Sequence, residues 1–318
     1  MRAVVYDRYG AVEVLRLSVV ADPQPSATDV VVRVYSAALN PKDALFRRGK
    51  FARLSGRRFP KQVGVDFAGV VAAAGPRAAL AVGTRVFGAL QEWRYLRGTL
   101  GERVVVHAAE VAALPDAVDF DAGAAVALAG LTSLQALRDL GRVRRGDVVA
   151  IHGASGGVGT LAIQIARELG ARVITTSSAR NLALCRSLGA DEALDYASAP
   201  LQRICGAVTC LFDVFGNLRW ADVEPALSPR GVLVTTVPSP SAVLRELCAI
   251  APGVTGRRRL VGVRPNRVDL DTLGAWVTAG RLRPVLDSVH ALADFAEAHR
   301  VLESKRARGK IIVRVLAA

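Results

Sequence analysis

The chain has 318 residues, 51% of them hydrophobic, and a formal net charge of +14 from 42 Lys and Arg against 28 Asp and Glu. That length predicts two domains with well-filled cores. The four cysteines (Cys185, Cys205, Cys210, Cys248) stand in no CxxC pair and near no histidine at ligand spacing, which argues against a zinc site and a disulfide framework and for four reduced thiols.

The N-terminus, "MRAVVYDRYGAVEVL", alternates polar and apolar residues like a strand and lacks the continuous apolar core of a signal peptide. The longest mostly apolar run, Ala122 to Leu134, falls short of the ~20 residues of a membrane span. The expectation is a soluble, cytoplasmic protein. Short β-type runs follow one another: "AVVYD", "VEVLRLSVV", "DVVVRVYSAAL", "DFAGVVAAAG", "TRVFGAL" and "ERVVVHAAEVAALP". Turn residues separate them, as expected of a mostly antiparallel β domain. Between Ala44 and Val65 lie Arg47, Arg48, Lys50, Arg53, Arg57, Arg58 and Lys61 with no acidic residue. This is either an anion-binding rim, for a CoA-type thioester, an acidic carrier protein or nucleic acid, or a solvated basic surface. Nothing in the pattern supports sequence-specific nucleic-acid readout.

From about Asp119 the rhythm changes. A helical stretch, "FDAGAAVALAGLTSLQALRDL", precedes the strands "DVVAIH", "ARVITTS", "EALDY", "VTCLFDV", "GVLVTTV" and "RLVGVRP". Helix-length segments such as "GTLAIQIARELG", "RNLALCRSLG" and "WADVEPALS" lie between most of them. Strands alternating with helices imply parallel pairing, here a doubly wound sheet of six strands in an α/β fold. The tail adds helices and a last strand, "KIIVRVL", expected to pack back on the first domain. The predicted organisation is 1–121, the first part of a β domain; 122–266, the doubly wound domain; and 267–318, the β domain's return.

Between "DVVAIH" and "GTLAIQIARELG" stand Gly153, Ser155, Gly156, Gly157, Val158 and Gly159. Glycines there permit a tight turn and let backbone N–H groups approach a ligand, and the helix N-terminus suits a pyrophosphate. The pattern, GxxGxxG, is a variant of the dinucleotide fingerprint in its proper strand–turn–helix context. A site for NAD wants an acid about 20 residues on, for the ribose 2′-hydroxyl. Here "ITTSSARN" offers Ser177, Ser178 and Arg180 instead, donors and a positive charge for a 2′-phosphate, so NADPH is the expected coenzyme.

With these pieces the chain resembles the medium-chain dehydrogenase/reductase superfamily, and within it the zinc-free quinone oxidoreductase branch. The matching motifs are "SAALNPKDALFRRG", "VGVDFAGVVAAAG", "AGLTSLQAL", "IHGASGGVGTLAIQIARELGA", "SSARNLALCRSLGADEALDY" and "AHRVLESKRARGKIIV". The resemblance implies a GroES-like catalytic domain, a Rossmann domain, a coenzyme between them and a homodimer. It matches Ser155, Gly157 and Val158 to the pyrophosphate loop, and Ser178 and Tyr196 to the 2′-phosphate. It sets Val237, Gly262 and Val263 along the nicotinamide end, Arg308 at a further coenzyme contact, and Asn40 and Thr132 near nicotinamide and substrate.

Departures from the superfamily pattern bear on the chemistry. Zinc-dependent relatives have Cys where Ala38 or Leu39 falls and a His-Glu pair after the glycine matching Gly64, where this chain reads "GVD". Phe51 stands where some enoyl reductases carry a proton-donating Tyr, and Gly101 to Arg103 ("GER") replaces the family's "AEY". Without a metal, hydride addition to an enone or quinone needs fixed donors for the developing enolate oxygen. The candidates are the Asn40 amide, the Thr132 hydroxyl, the Lys42 ammonium and backbone N–H groups, with the proton drawn from water. The expected function is a zinc-independent NADPH-dependent reductase of quinones or α,β-unsaturated carbonyl compounds. The alternatives are an enoyl-thioester reductase of a biosynthetic pathway and a non-catalytic NADPH-binding sensor.

Overall fold

The structure, a computed structural model, describes residues 1–92, 95–198, 204, 206–237 and 256–317. Its chain divides into two compact units, Met1–Leu128 with Arg264–Ala318, and Ala129–Val263.

The spine of the first unit is the strand Asp29–Leu39, whose Val30, Val32 and Val34 are fully buried while Arg33 is exposed. Val31, on the same face as Arg33, is buried as well, so the strand is covered on both faces over part of its length. The spine pairs antiparallel with Asp66–Ala74, Arg103–His107 and Lys310–Arg314, so the C-terminal strand closes onto the N-terminal sheet. Arg85–Ala89 and Val111–Ala113 extend the seven-stranded sheet on one side, and Leu286–Ala291 lies parallel to Lys310–Arg314 on the other. A smaller sheet joins Arg2–Tyr6 to Arg16–Val19 and to Lys61–Gln62. The valines of the spine meet Phe67, Val71, Val86, Val104 and Val106 in one core. The sequence reads "ERVVVHAAEVAALP" as one strand, but a 3-10 turn, Ala108–Glu110, divides it, with His107 Nδ1 accepting the Ala109 N–H.

The second unit is the doubly wound sheet. In spatial order its strands are Glu192–Asp195, Arg172–Ser177, Val148–His152, Val208–Asp213, Leu227–Thr235 and Arg258–Leu260, all parallel. In chain order that is 3-2-1-4-5-6, the dinucleotide-binding arrangement. The helix Gly157–Glu168 buries Leu161, Ala162, Ile163, Ile165 and Ala166 completely. The helix expected over "WADVEPALS" is shorter: Trp220–Val223 gives way to a 3-10 turn containing Pro225, and the next strand begins at Leu227. Proline cannot donate the hydrogen bond that would continue the helix.

The helix Phe120–Leu134 runs on through a π-helical stretch, Gln135–Leu140. The resulting 21-residue helix is long and apolar enough to span a membrane, longer than the run read from the sequence, but 83% of its apolar window is buried inside the protein. A core helix passes the same test. Cys185 and Cys210 are free and buried, and burial pushes the Cys210 thiol up to about 12. Cys205 and Cys248 lie outside the described residues.

Candidate active site

In the second unit every proposed coenzyme residue lies at or just after the carboxyl end of a parallel strand, where open α/β sheets bind ligands. Gly153 to Gly159 follow Val148–His152, Ser178 and Arg180 follow Arg172–Ser177, and Tyr196 follows Glu192–Asp195. Val237 comes just after Leu227–Thr235, and Gly262 and Val263 after Arg258–Leu260.

Two glycines of the turn are required by geometry. Gly153 has φ +79°, a conformation L side chains rarely adopt. A Cβ on Gly159 would sit 2.5 Å from the Gly153 carbonyl oxygen and 2.6 Å from Ala154 Cα, so the helix start and the turn touch backbone to backbone. Gly153 and Ala154 donate their N–H groups to Thr176 O, which ties the turn to the second strand. The helix opens at Gly157, with Gly156 extended as its N-cap, and its first-turn N–H groups have no acceptor within the helix. Ser133 reaches this region from the preceding helix, its hydroxyl shared between Ala129 O (2.8 Å) and Val158 O (3.0 Å). His152 closes its strand as a structural residue, Nε2 paired with Asn217 Oδ1 and Nδ1 with Thr176 Oγ1.

The 2′-phosphate candidates divide. Ser177 is buried, its hydroxyl donating to Ser178 O and receiving the Cys185 thiol, so it faces inward. Ser178 is half-buried, and Arg180 and Tyr196 are exposed. The Tyr196 N–H donates to Ser177 O, which sets Tyr196 beside the end of the second strand. Asp195, opposite Ser177 in register, accepts the Ala197 N–H. Sequence reading passed over Asn181, whose Nδ2 donates to Ser155 Oγ (2.9 Å) and Ser178 Oγ (3.1 Å). Its only signal was a polar residue at the start of an otherwise apolar helix. Val237 is 41% exposed and packs over Gly216. Gly262 is exposed and Val263 half-buried. Thr132 is buried in the helix Phe120–Leu134.

In the first unit, Asn40 caps the helix Pro41–Arg47, its N–H bonded to Asp43 Oδ2 at 2.8 Å. Both hydrogens of its amide are engaged, with Ala38 O (3.3 Å) and Asp66 Oδ2 (2.9 Å), and its Oδ1 accepts from Lys310 Nζ at 2.7 Å. Lys310 Nζ also meets Asp66 Oδ2 (2.9 Å) and Leu39 O (3.2 Å), while Asp66 Oδ1 accepts the Leu128 N–H (2.8 Å). Asn40, Asp66 and Lys310 are all buried. The Asn40 amide therefore gives an outside oxygen no free donor unless one of these bonds breaks; its place in this unit is that of an organiser.

Asp43 is buried too, with Tyr95 donating to its Oδ1 at 3.0 Å. Burial raises the Asp43 carboxyl to about 6 against the Asn40 N–H, the Lys42 charge and Tyr95, which pull it down. Lys42 is half-buried, and desolvation lowers its pKa although Asp43, Asp66 and Glu92 oppose the shift. Phe51 packs against Phe46 with ring centroids 4.9 Å apart and the planes tilted by 32°. In "GER", Gly101 bridges to Ala3, Glu102 holds the Arg2 N–H and Nε, and Arg103 pairs with Asp22. Arg308 is exposed, its N–H donating to Asp287 Oδ1 at 2.7 Å.

The basic segment is neither simply a rim nor simply a solvated surface. Arg47 and Lys61 are fully buried. Arg47 binds Gly10 O and Glu303, and Lys61 binds Ser55 O and lies over the Phe59 ring. Lys50, Arg53, Arg57 and Arg58 are exposed. Among the described residues no group of three or more His, Cys, Asp or Glu side chains is set to hold a metal ion.

A six-stranded dinucleotide-type sheet and a mostly antiparallel β unit in one chain define the class, a two-unit nucleotide-dependent oxidoreductase fold. Residues 26–116 match the alcohol dehydrogenase GroES-like domain and residues 188–313 the zinc-binding dehydrogenase family. The chain is 34% identical over 313 residues to a trans-enoyl reductase, pgmF, of Aspergillus terreus, covering 90% of this chain and 86% of that one. It is 31% identical to an NADPH-dependent alkenal/one oxidoreductase of Arabidopsis thaliana chloroplasts, covering 98% and 79%. A solved quinone oxidoreductase from Coxiella burnetii superposes with a TM-score of 0.88 at 30% identity over 99% of both chains. The chain belongs to the medium-chain dehydrogenase/reductase superfamily.

Proposed function

We propose that this protein is an NADPH-dependent, zinc-independent reductase of quinones or of the activated C=C bond of α,β-unsaturated carbonyl compounds. The observation that carries the reading is the end of the second strand. Where an NAD site sets a carboxylate, this chain has Ser177 and Ser178, with Arg180 exposed beside them and the glycine turn tied to the same strand. Hydroxyl and guanidinium donors fit a 2′-phosphate, and the Gly157 helix start fits the diphosphate. When bound, NADPH supplies the hydride. The named similarities to quinone and alkenal/one reductases support the same acceptor classes.

The chain's own part is to hold the acceptor and stabilise the negative charge that gathers on its carbonyl oxygen. In the first unit, the Lys42 ammonium is the donor proposed for that oxygen. The desolvation that lowers the Lys42 pKa makes its ammonium the more willing donor. Asn40 acts one step back, holding the start of the helix that carries Lys42 through its bonds to Asp66 and Lys310. Metal independence rests on residue identity. Ala38, Leu39 and Val65 have no ligand atom in their side chains, and Asp66 is paired with the buried Lys310 ammonium.

NADPH oxidation followed against a panel of quinones and enones tests the reading. We expect turnover that survives a chelator and that falls strongly in Ser178→Ala and Arg180→Ala with NADPH but little with NADH. Equal losses with both coenzymes, or no turnover across the panel, would refute it. The second reading, an enoyl-thioester reductase, is favoured by the trans-enoyl reductase relative and the exposed Lys50, Arg53, Arg57 and Arg58. Comparing a free enone with its CoA thioester separates the two: preference for the thioester, lost when those cations are neutralised, selects the second.

A further inference from the structure

We propose that Asn181 is a positioning residue that aims the hydroxyls of Ser155 and Ser178 together, so that the diphosphate turn and the 2′-phosphate site act as one recognition unit. The proposal rests on the NADPH reading above and adds to it a residue that touches neither phosphate. Asn181 is 5% exposed. It starts the helix Leu182–Ser187, yet its side chain does not cap that helix. It turns back to the two serines, one in the glycine turn after the first strand and one after the second.

The sense of these bonds matters. An amide nitrogen carries two hydrogens and accepts nothing, so each serine oxygen is an acceptor toward Asn181. Each hydroxyl hydrogen is then left to point elsewhere. Neither serine donates to any atom of the described residues, and Ser178 precedes its 3-10 turn without a side-chain bond to it. Both serines are half-buried. Donors held in place before the anion arrives lose little freedom when it binds. The buried Asn181 Oδ1 has no partner, which is the strain accepted for fixing the nitrogen on the serine side.

An acceptor at this position would reverse the arrangement. In Asn181→Asp the carboxylate oxygens would draw both O–H bonds inward and away from the phosphates. Calorimetry on the full chain with NADPH and NADH, for the parent, Asn181→Asp, Asn181→Ala, Ser178→Ala and the double variants, tests this. We expect Asn181→Asp to weaken NADPH about tenfold to a hundredfold, the worth of one hydrogen bond to a charged group. NADH, which lacks the 2′-phosphate, loses less. In the Asn181→Asp background the Ser178→Ala penalty should vanish, because that hydroxyl is already turned away.

A purely structural Asn181 would lower the melting temperature, weaken both coenzymes alike and leave the Ser178→Ala penalty intact, and that result overturns the proposal. So does an Asn181→Asp protein that binds NADPH like the parent. If the aspartate variant does not fold, the neutral Asn181→Ala carries the same cycle, with a smaller but still non-additive loss expected; full additivity there overturns the proposal. A parent that prefers NADPH and shows no coupling defeats this inference alone. A parent that binds neither coenzyme, or both equally, defeats the NADPH reading with it.

Discussion

Taking Lys310 out of the Asn40–Asp66 cluster would leave a fully buried carboxylate facing only the Asn40 amide and the Leu128 N–H. Breaking one side of a buried ion pair strands the other charge and destabilises by about 3–5 kcal/mol. We therefore expect Lys310→Met to shift the urea midpoint down by that amount, and Lys310→Met with Asp66→Leu to regain much of it. A single variant as stable as the parent would show that water reaches the site. Gly159 offers a sharper case. Gly159→Ala drives a Cβ to 2.5 Å from the Gly153 carbonyl oxygen, so the turn must open; coenzyme binding should be lost while the first unit's sheet stays intact by circular dichroism. Normal NADPH affinity in that variant would mean that the turn yields without consequence. At this scale the sequence disclosed the glycines, because a tight strand-to-helix turn has its own residue signature. It did not disclose Asn181, because nothing in a string of residues says which side chain turns backwards. Nor could it separate Arg47 and Lys61 from their neighbours, since a buried cation has the same letter as a solvated one. Only partners far along the chain, such as Glu303 for Arg47, make that burial tolerable.

The helices Pro41–Arg47 and Phe295–Glu303 pack against each other, and each carries a buried group expected to respond to pH, with opposite signs. His299 is fully buried, neither ring nitrogen has a partner, and burial followed by the nearby Arg47 charge brings its pKa from 6.5 down to about 3. It stays neutral in the fold while the unfolded chain takes up a proton below 6.5. Its contribution is thus present above that pH and drains away as pH falls toward 3. Asp43 has the opposite sign. Its carboxyl is raised from 3.8 to about 6, so its contribution is full below 3.8 and is lost as pH rises through about 6. His299→Leu should melt with a flatter acid limb than the parent, by about 2 kcal/mol near pH 4.5, and Asp43→Asn should gain relative stability near pH 7.5. Identical pH profiles for parent and His299→Leu would show that the ring is not dry. The elements that hold these groups were legible to unequal degrees. Asp29–Leu39 and the buried parallel strands read clearly because apolar runs between turn residues admit few other structures. Leu286–Ala291 was missed because it is a mostly exposed edge strand with no core pattern. The helix at Trp220 read too long because its periodicity continues past Pro225, where its hydrogen bonds cannot.

A molecule of formal charge +14 surrounds itself with a field that attracts anions. NADPH, with one more phosphate than NADH, feels that field more strongly, so part of any preference for it arises before contact. This long-range part is screened within about 8–10 Å at physiological salt. The short-range part proposed above, hydrogen bonds from Ser178, Arg180 and the glycine turn, would be screened far less once solvent is displaced. Stopped-flow measurements should therefore show the NADPH association rate falling several-fold between about 0.02 and 0.5 M salt, with NADH changing less and the dissociation rates nearly constant. The Ser178→Ala and Arg180→Ala variants divide the two contributions further. The serine variant, which keeps the net charge, should retain the parent's salt slope while releasing NADPH faster. The arginine variant should release it faster and lose a little of the slope, in proportion to one charge among many. A salt-independent association rate for the parent would mean that the basic surface lies where the coenzyme does not approach. Any selectivity for NADPH would then rest wholly on the few atoms at the ends of the first two parallel strands.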